Sequence, residues 1–373
     1  MFYKTNMAQL QQSDNQYELT LEEVLNIYKF KFYYDEEHFN FVKYIRSQQL
    51  RENRAGSRTP AELPQIYIPS TQTGSTQTIL SAIKHRIPVY FGAEREDLFS
   101  WTKTTNILKY SKSDIMDSFQ DISNTRYAIG GPVKYIGDTN RRSLRSDSSN
   151  EKTMHMLHIW GVNLESRTTP DYLMMNRHFS ENNFNPYYDR QYELFNTIIT
   201  ASVDMASKNN HPEVNIQVPF IGAGCYLKAL NVDQKNKCIE LIIKAIMNTV
   251  STMPNNSRFH LCVFSPQEFE SQHLLILRNF ARSCKQFVLK EGNQEGNVMN
   301  GLDNLTTNTN LGVVVNAWDT LSLIGNGGSR DYSVDGFMVA NAGGFNNQFR
   351  NTSYLHNSVF NQHYFNPDSW ITV

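Results

Sequence analysis

Between residues 155 and 316 the chain alternates apolar stretches with strand spacing and stretches with helical spacing. This alternation is typical of a layered α/β fold, because each helix returns the chain so that the next strand can pair in parallel. Val313, Val314 and Val315 form an unbroken β-branched run, which predicts a strand buried on both faces of the sheet. We therefore predict an α/β protein with a mostly parallel central sheet. The strand patterns lie at 155–162, 214–220, 258–264, 286–290 and 313–316, and the helical patterns lie at 187–207, 233–250 and 271–283.

Residues 1–75 differ in pattern from the rest of the chain. Residues 19–50 have apolar side chains at helical spacing behind a capping-box pair, Thr20 and Glu23, and residues 51–75 are rich in Pro, Ser, Thr and Gln. We predict a helical N-terminal extension followed by a linker or extended arm over 1–75, and one domain over 76–373. Weaker patterns in that domain predict a helix at 79–84, a strand at 87–93, a helix at 114–122, a strand or turn at 129–137 and a disordered polar loop at 138–152.

The composition limits the function class. A hydrophobic content of 40% in 373 residues is ample for a buried core. Thirty-five basic and 36 acidic side chains leave a net charge of −1, which argues against a general nucleic-acid binder. The four cysteines form no Cys-x-x-Cys pair and the ten histidines show no ligand spacing, so we predict no disulfide framework, no metal and no cofactor. No stretch of about eighteen apolar residues occurs, so we expect no membrane span and no conventional signal peptide.

A glycine-bearing turn follows the strand pattern at 214–220. Its sequence runs Pro219-Phe220-Ile221-Gly222-Ala223-Gly224-Cys225-Tyr226 and leads towards the helical pattern at 233–250. Ligands of open α/β sheets bind outside the carboxyl ends of the strands, where such a turn exposes backbone N–H groups to a phosphate. A tight turn that binds nothing is the alternative, and two glycines alone do not separate the two interpretations.

A second glycine-rich segment follows the strand that ends at Asn316. It contains the cluster Gly325-Asn326-Gly327-Gly328 and, around it, three aspartates. Ser333 as N-cap and Asp335 in the first turn predict the start of a helix, where an anion is favoured. Because aspartates are also common in loops and caps, each of the three is either a functional acid or a local capping residue. They are Asp319, Asp331 and Asp335.

Both segments resemble the ligand-binding loops of macrodomains. The first, with Gly222, Gly224 and the aromatic Tyr226, is similar to the family's diphosphate loop. The second is similar to its ADP-ribose-binding loop, through Asn316-Ala317, the glycine cluster and Val334-Asp335-Gly336. Trp318 and Asp319 stand where the family usually has Ala and Asn, and the longer spacing before Val334 is closer to the poly(ADP-ribose) glycohydrolase branch.

The two loops occur in the reverse of the usual macrodomain order. The resemblance therefore implies a circularly permuted macrodomain, with a three-layer α/β/α fold, over about 79–363. Residues 286–292 then take the place of the family's early strand. Permutation is tolerated when the original termini lie close together at the surface.

The resemblance also implies site residues. Cleaving ADP-ribose from a side chain at C1 of the distal ribose needs an acid for the leaving group and a base for water. Asp335 is the first candidate, Asp331 either supplies the second acid or orients an arginine guanidinium, and Asp319 either binds a ribose hydroxyl or acts as base. Residues 163–172 either contribute to the adenine or ribose end or form a structural loop. The implied ADP-ribose-binding residues are Gly222, Ala223, Gly224, Cys225, Tyr226, Asn316, Gly325, Asn326 and Gly327.

The permuted order is similar to that of atypical macrodomains among effectors of intracellular bacterial pathogens, which remove ADP-ribose from modified host proteins. The resemblance thus predicts a monomeric ADP-ribosyl-arginine hydrolase that is secreted and acts in the host cytoplasm, or otherwise works in its own cytoplasm. A non-catalytic ADP-ribose reader and a phosphoesterase acting on a nucleotide-sugar derivative are the alternatives. The extra carboxylates favour the hydrolase, because acids beside a diphosphate repel it unless they have a chemical role.

Overall fold

A nine-stranded sheet runs through the described part of the chain. The computed structural model describes residues 65–72, 126–135, 152–167, 169–298, 300–317, 349–350, 368 and 370–373. The strands are β1 (Gln65–Ile68), β2 (Ala128–Tyr135), β3 (Lys152–Ile159), β4 (Glu213–Pro219), β5 (Arg258–Val263), β6 (Phe287–Glu291), β7 (Asn310–Ala317), β8 (Phe349–Arg350) and β9 (Ile371–Thr372). The described helices are α1 (Pro170–Ser180), α2 (Asn185–Lys208), α3 (Val232–Val250) and α4 (Ser271–Ser283).

The centre of the sheet is parallel. The strand order is β6-β5-β4-β7-β3-β2-β1-β9, with β8 paired to β2. The neighbours from β6 to β3 pair in parallel, whereas β2 is antiparallel to both β3 and β1. The prediction of an α/β protein with a mostly parallel sheet is therefore confirmed.

Strand β7 comes late in the chain but lies between β4 and β3. Val313, Val314 and Val315 are fully buried, as a strand covered on both faces requires. The predicted doubly buried strand is thus confirmed, and it extends one residue beyond Asn316, to Ala317.

The four helices contribute to one apolar core on the sheet face that carries Ile216, Phe259 and Val313. Ring centroids of Phe195 in α2 and Phe259 in β5 are 6.3 Å apart. Helix α3 begins with a capping box in which Asn231 and Gln234 bond each other's backbone N–H groups, so its start is fixed locally. Helix α2 matches the helical pattern predicted at 187–207, although Tyr192, one of the apolar residues at helical spacing in that pattern, is 36% exposed.

The opposite face of the sheet has buried polar side chains. Gln217 is fully buried; its amide nitrogen donates to the carbonyl oxygens of Val298 and Asn300, and its amide oxygen accepts from Lys290 Nζ at 2.6 Å. His158 and Asn316 are also buried on this face. Because unpaired polar groups are costly inside a protein, these bonds fix the segment around residue 300 against the sheet.

Four of the described strands and helices were not predicted from the sequence: β1, α1, β8 and β9. Residues 65–68, within the stretch expected to be a linker or extended arm, form β1, and Tyr67 OH donates to Asp204 Oδ2 of α2 at 3.0 Å. Helix α1 was also not predicted; Thr169 caps it by accepting a bond from the backbone N–H of Tyr172. The predicted elements at 19–50, 79–84, 87–93 and 114–122 and the helix start at Ser333 lie outside the described residues. No helix in the described ranges is both long and apolar enough to cross a membrane.

Candidate functional site

Strands β3, β4 and β7 end at the same edge of the sheet. His158 of β3 pairs with Asn316 of β7, and Val314 of β7 pairs with Gln217 of β4, all in parallel. The loops that follow these strands therefore start side by side. The sequence predicted that the turn after β4 and the segment after Asn316 are parts of one site. Both follow adjacent strands that end at one edge of the sheet.

The turn after β4 is compact and partly exposed. Gly222 has φ of +85°, a conformation that L residues rarely adopt, whereas Gly224 has φ of −95°. A short 3₁₀ turn, Cys225–Leu227, then leads towards α3. The backbone N–H groups of Gly222 and Gly224 donate to no other group in the described part of the chain. Two backbone donors in a half-exposed turn at a strand end can bind an anionic oxygen.

The loop after β3 supports this turn. Leu164 donates its N–H to the carbonyl of Tyr226 at 2.7 Å and accepts from the N–H of Ala229 at 3.1 Å. A Cβ at Gly161 would lie 3.0 Å from Ile221 Cγ2, so the two loops approach closely. The loop after β3 thus holds the turn from one side.

Asp171 in turn fixes the position of the loop after β3. Its carboxylate is 1% exposed and accepts a bond from the N–H of Asn163 at 2.7 Å, while Thr169 Oγ1 donates to the carbonyl of Asn163 at 2.7 Å. These contacts give residues 163–171 a structural role. Of the two interpretations of this stretch, they support the structural loop.

A charged cleft lies beside the same loops, between the strand ends and α2. Arg126 Nε is 2.5 Å from Glu193 Oε1, and Arg190 Nη2 is 3.9 Å from Asp171 Oδ1. Burial first, and repulsion from Arg190 second, lower the pKa of Arg126 to about 10, so the guanidinium stays charged at neutral pH. Arg126, Arg190 and Glu193 line the cleft, and Asp171, outside the lining, offsets part of the charge of Arg190.

This charged group was not predicted from the sequence. Its members come from the residues just before β2, from α1 and from α2, so no local spacing connects them. The three-residue interval between Arg190 and Glu193 on one helix was a weak signal, because such intervals are common on helix surfaces. Thr71 also donates to Glu193, so the group ties the chain after β1 to α2.

Asn316 occupies the end of β7 and is fully buried. Its Nδ2 lies 3.0 Å from Nδ1 of His158, which is also fully buried. His155, three residues earlier in β3, is paired with Val313 and lies on the other face of the sheet. The two histidines therefore face opposite sides of the sheet, because residues three apart in a strand point to opposite faces.

The remaining predicted site residues divide into two groups. Gly222, Ala223, Gly224, Cys225 and Tyr226 lie in the turn after β4, with Gly224 and Cys225 exposed. The others lie outside the described residues: Asp319, Gly325, Asn326, Gly327, Asp331 and Asp335. Within the described ranges, no group of three or more His, Cys, Asp or Glu side chains could hold a metal ion.

The chain matches no protein-family model and no curated protein. The macrodomain resemblance therefore rests on the residues of the two loops.

Proposed function

We propose that this protein is an ADP-ribosylhydrolase that removes ADP-ribose from modified arginine side chains of proteins. The observation that most supports the proposal is the position of two distant segments, the turn at 220–226 and Asn316, on the adjacent parallel strands β4 and β7. A macrodomain-type site needs both segments at one sheet edge, and chain order alone does not bring them together.

The turn after β4 would bind the diphosphate. The N–H groups of Gly222 and Gly224 are donors without other described partners, and a Cβ at Gly224 would meet no atom within 4 Å. The turn thus has open space where phosphate oxygens would lie. Backbone donors suit this role, because they bind the anion without a side chain having to be ordered.

The strand order is compatible with the proposed permuted macrodomain. Strand β6 follows α4 in the chain and lies two places from β4, with its carboxyl end at the same edge. That is the position in which residues 286–292 would replace the early strand of the family. The proposed three-layer fold would also have a helical layer on the face opposite α2 and α3.

The chemistry would come from the segment after Asn316. Water attacks C1 of the distal ribose as the bond from C1 to the guanidine nitrogen breaks; a base takes the water proton and an acid protonates the leaving nitrogen. We assign the principal acid–base role to Asp335. Asp331 either serves as the second acid or orients the guanidinium, and Asp319 binds a ribose hydroxyl or acts as base. Asn316 would hydrogen-bond the distal ribose.

The substrate and place of action are part of the same proposal. By resemblance to effector macrodomains, the substrate is an ADP-ribosylated host protein and the protein acts as a monomer in the host cytoplasm.

A cleavage assay with an arginine-ADP-ribosylated protein tests the proposal. Release of ADP-ribose and return of unmodified arginine, both followed by mass spectrometry, are expected. Substrate that is bound but unchanged would instead identify a reader, and a phosphoribosyl remnant on the arginine would identify a phosphoesterase. A matched serine-linked substrate, cleaved more slowly or not at all, tests the arginine preference.

A further inference from the structure

The end of β7 is joined to the end of β3 by a buried side-chain contact. Asn316 Nδ2 and His158 Nδ1 are 3.0 Å apart, and both side chains are fully buried. The two residues are also register partners, so their backbones are held at a fixed separation. The side-chain contact therefore links two residues that the sheet already places opposite each other.

This contact fixes which way the Asn316 amide points. An amide can rotate to exchange its oxygen and nitrogen, and the two orientations offer opposite hydrogen-bonding groups to a ligand. When the nitrogen donates to His158 Nδ1, a neutral imidazole accepts and the amide oxygen points the other way. The contact thus holds the amide oxygen of Asn316 in one orientation, facing away from His158.

The hydrogen bond to Asn316 explains how a histidine can be buried at position 158. Its neighbours Met156, Leu157 and Ile159 are buried and apolar. A fully buried imidazole costs desolvation that a leucine or phenylalanine would avoid, unless its ring nitrogens form hydrogen bonds. The contact with Asn316 is one such bond.

We propose that His158 is a positioning residue that holds the Asn316 amide in the orientation needed to bind a hydroxyl of the distal ribose. This inference rests on the proposed function, in which Asn316 contacts that ribose. His158 does not contact the ligand itself; it acts through Asn316. Fixing a polar group before the ligand arrives lowers the entropic cost of binding.

The test is a double-mutant cycle on ADP-ribose affinity, measured by isothermal titration calorimetry. His158→Phe keeps a planar ring but removes the acceptor, and His158→Gln keeps an acceptor on a flexible chain. We expect His158→Phe to weaken binding by about 5- to 20-fold and His158→Gln by about 3-fold or less, in line with coupling between residues in contact. In an Asn316→Ala background, His158→Phe should cause no further loss.

A purely structural role predicts a different result. His158→Phe would then lower the free energy of unfolding but leave the affinity of the folded protein unchanged, or weaken binding equally with and without Asn316. Either outcome overturns the inference. If His158→Phe does not fold, the comparison of His158→Gln with His158→Leu, each in both backgrounds, replaces it.

The experiments distinguish a failure of the proposed function from a failure of the role proposed for His158. A wild-type protein that binds no ADP-ribose refutes the proposed function, and the role of His158 falls with it. A wild-type protein that binds ADP-ribose, but in which the effects at positions 158 and 316 simply add, refutes only the role of His158.

Discussion

Replacing Gly222 by alanine tests the geometry of the turn after β4. The φ of +85° at Gly222 places a Cβ in a disfavoured conformation, which costs about 1–2 kcal/mol. The new Cβ would also lie 3.3 Å from Nε2 of Gln191, a fully buried side chain with little room to move. Against this, alanine restricts the unfolded chain and recovers about 0.4–1 kcal/mol. We therefore expect Gly222→Ala to lower the free energy of unfolding by about 1 kcal/mol.

Gly224→Ala is the matched control, two residues away in the same turn. Its φ of −95° is not in the left-handed region, and a Cβ there meets nothing within 4 Å. Gly224→Ala should therefore lower the free energy of unfolding by less than Gly222→Ala does. Equilibrium unfolding in urea, with the m-values compared first, measures both variants. If Gly222→Ala were as stable as Gly224→Ala, Gly222 would not hold the positive φ and the described turn would be wrong.

Three further predictions concern the site and the pH response. Gly224→Glu should fold normally but abolish ADP-ribose binding in calorimetry, because it places charge and bulk where the diphosphate would lie. Asp335→Ala should abolish turnover in the cleavage assay while ADP-ribose affinity stays largely intact, because an acid used only in the reaction is not needed for binding. Burial first, and the charge of His211 second, lower the pKa of His155 to about 4, against about 6.5 in the unfolded chain. Between these two pKa values the unfolded chain binds a proton at His155 that the folded chain does not bind. The contribution of His155 to the free energy of unfolding should therefore fall as pH decreases from about 6.5 towards 4, by about 2 kcal/mol at pH 5.

Each of these predictions has its own control. Gly224→Ala should retain ADP-ribose binding, and loss of binding there would point to the backbone rather than to charge. Full activity in all three of Asp319→Ala, Asp331→Ala and Asp335→Ala would refute the catalytic assignment. For the pH response, His155→Phe should show a smaller loss of stability between pH 7 and 5 than wild type; equal losses would mean that other groups produce it.

The strands and helices that could be predicted are those whose sequence pattern lies within the element itself. From β4 to β6 each element has its own apolar period and its own turn or cap, such as the capping box at Asn231, so the pattern could be read residue by residue. Strand β1 was missed because it has four residues between Pro64 and Pro69, and its partners come from β2 and from the end of the chain. Nothing within so short a segment separates a strand from an extended arm.

The same distinction applies to the candidate site. The glycines at 222 and 224 and the strand end at Asn316 have local signatures, and the sequence indicated them. The contact between His158 and Asn316, and the cleft around Arg126, arise from pairing between distant parts of the chain. These contacts depend on the order of the strands in the sheet, and the alternation of strand and helix patterns along the sequence does not specify that order.

The position of β7 has a consequence for how the chain is made. Among the described strands, β7 alone joins the group β6-β5-β4 to the group β3-β2-β1-β9. During synthesis β3 and β4 emerge from the ribosome well before β7. Until β7 pairs with both, each has one edge with unpaired backbone N–H and C=O groups. The joining of the two groups of strands thus requires the insertion of a late segment between two early ones. Such contacts of high sequence separation slow folding, and the facing edges of β3 and β4 stay open to aggregation until residue 317 has been translated.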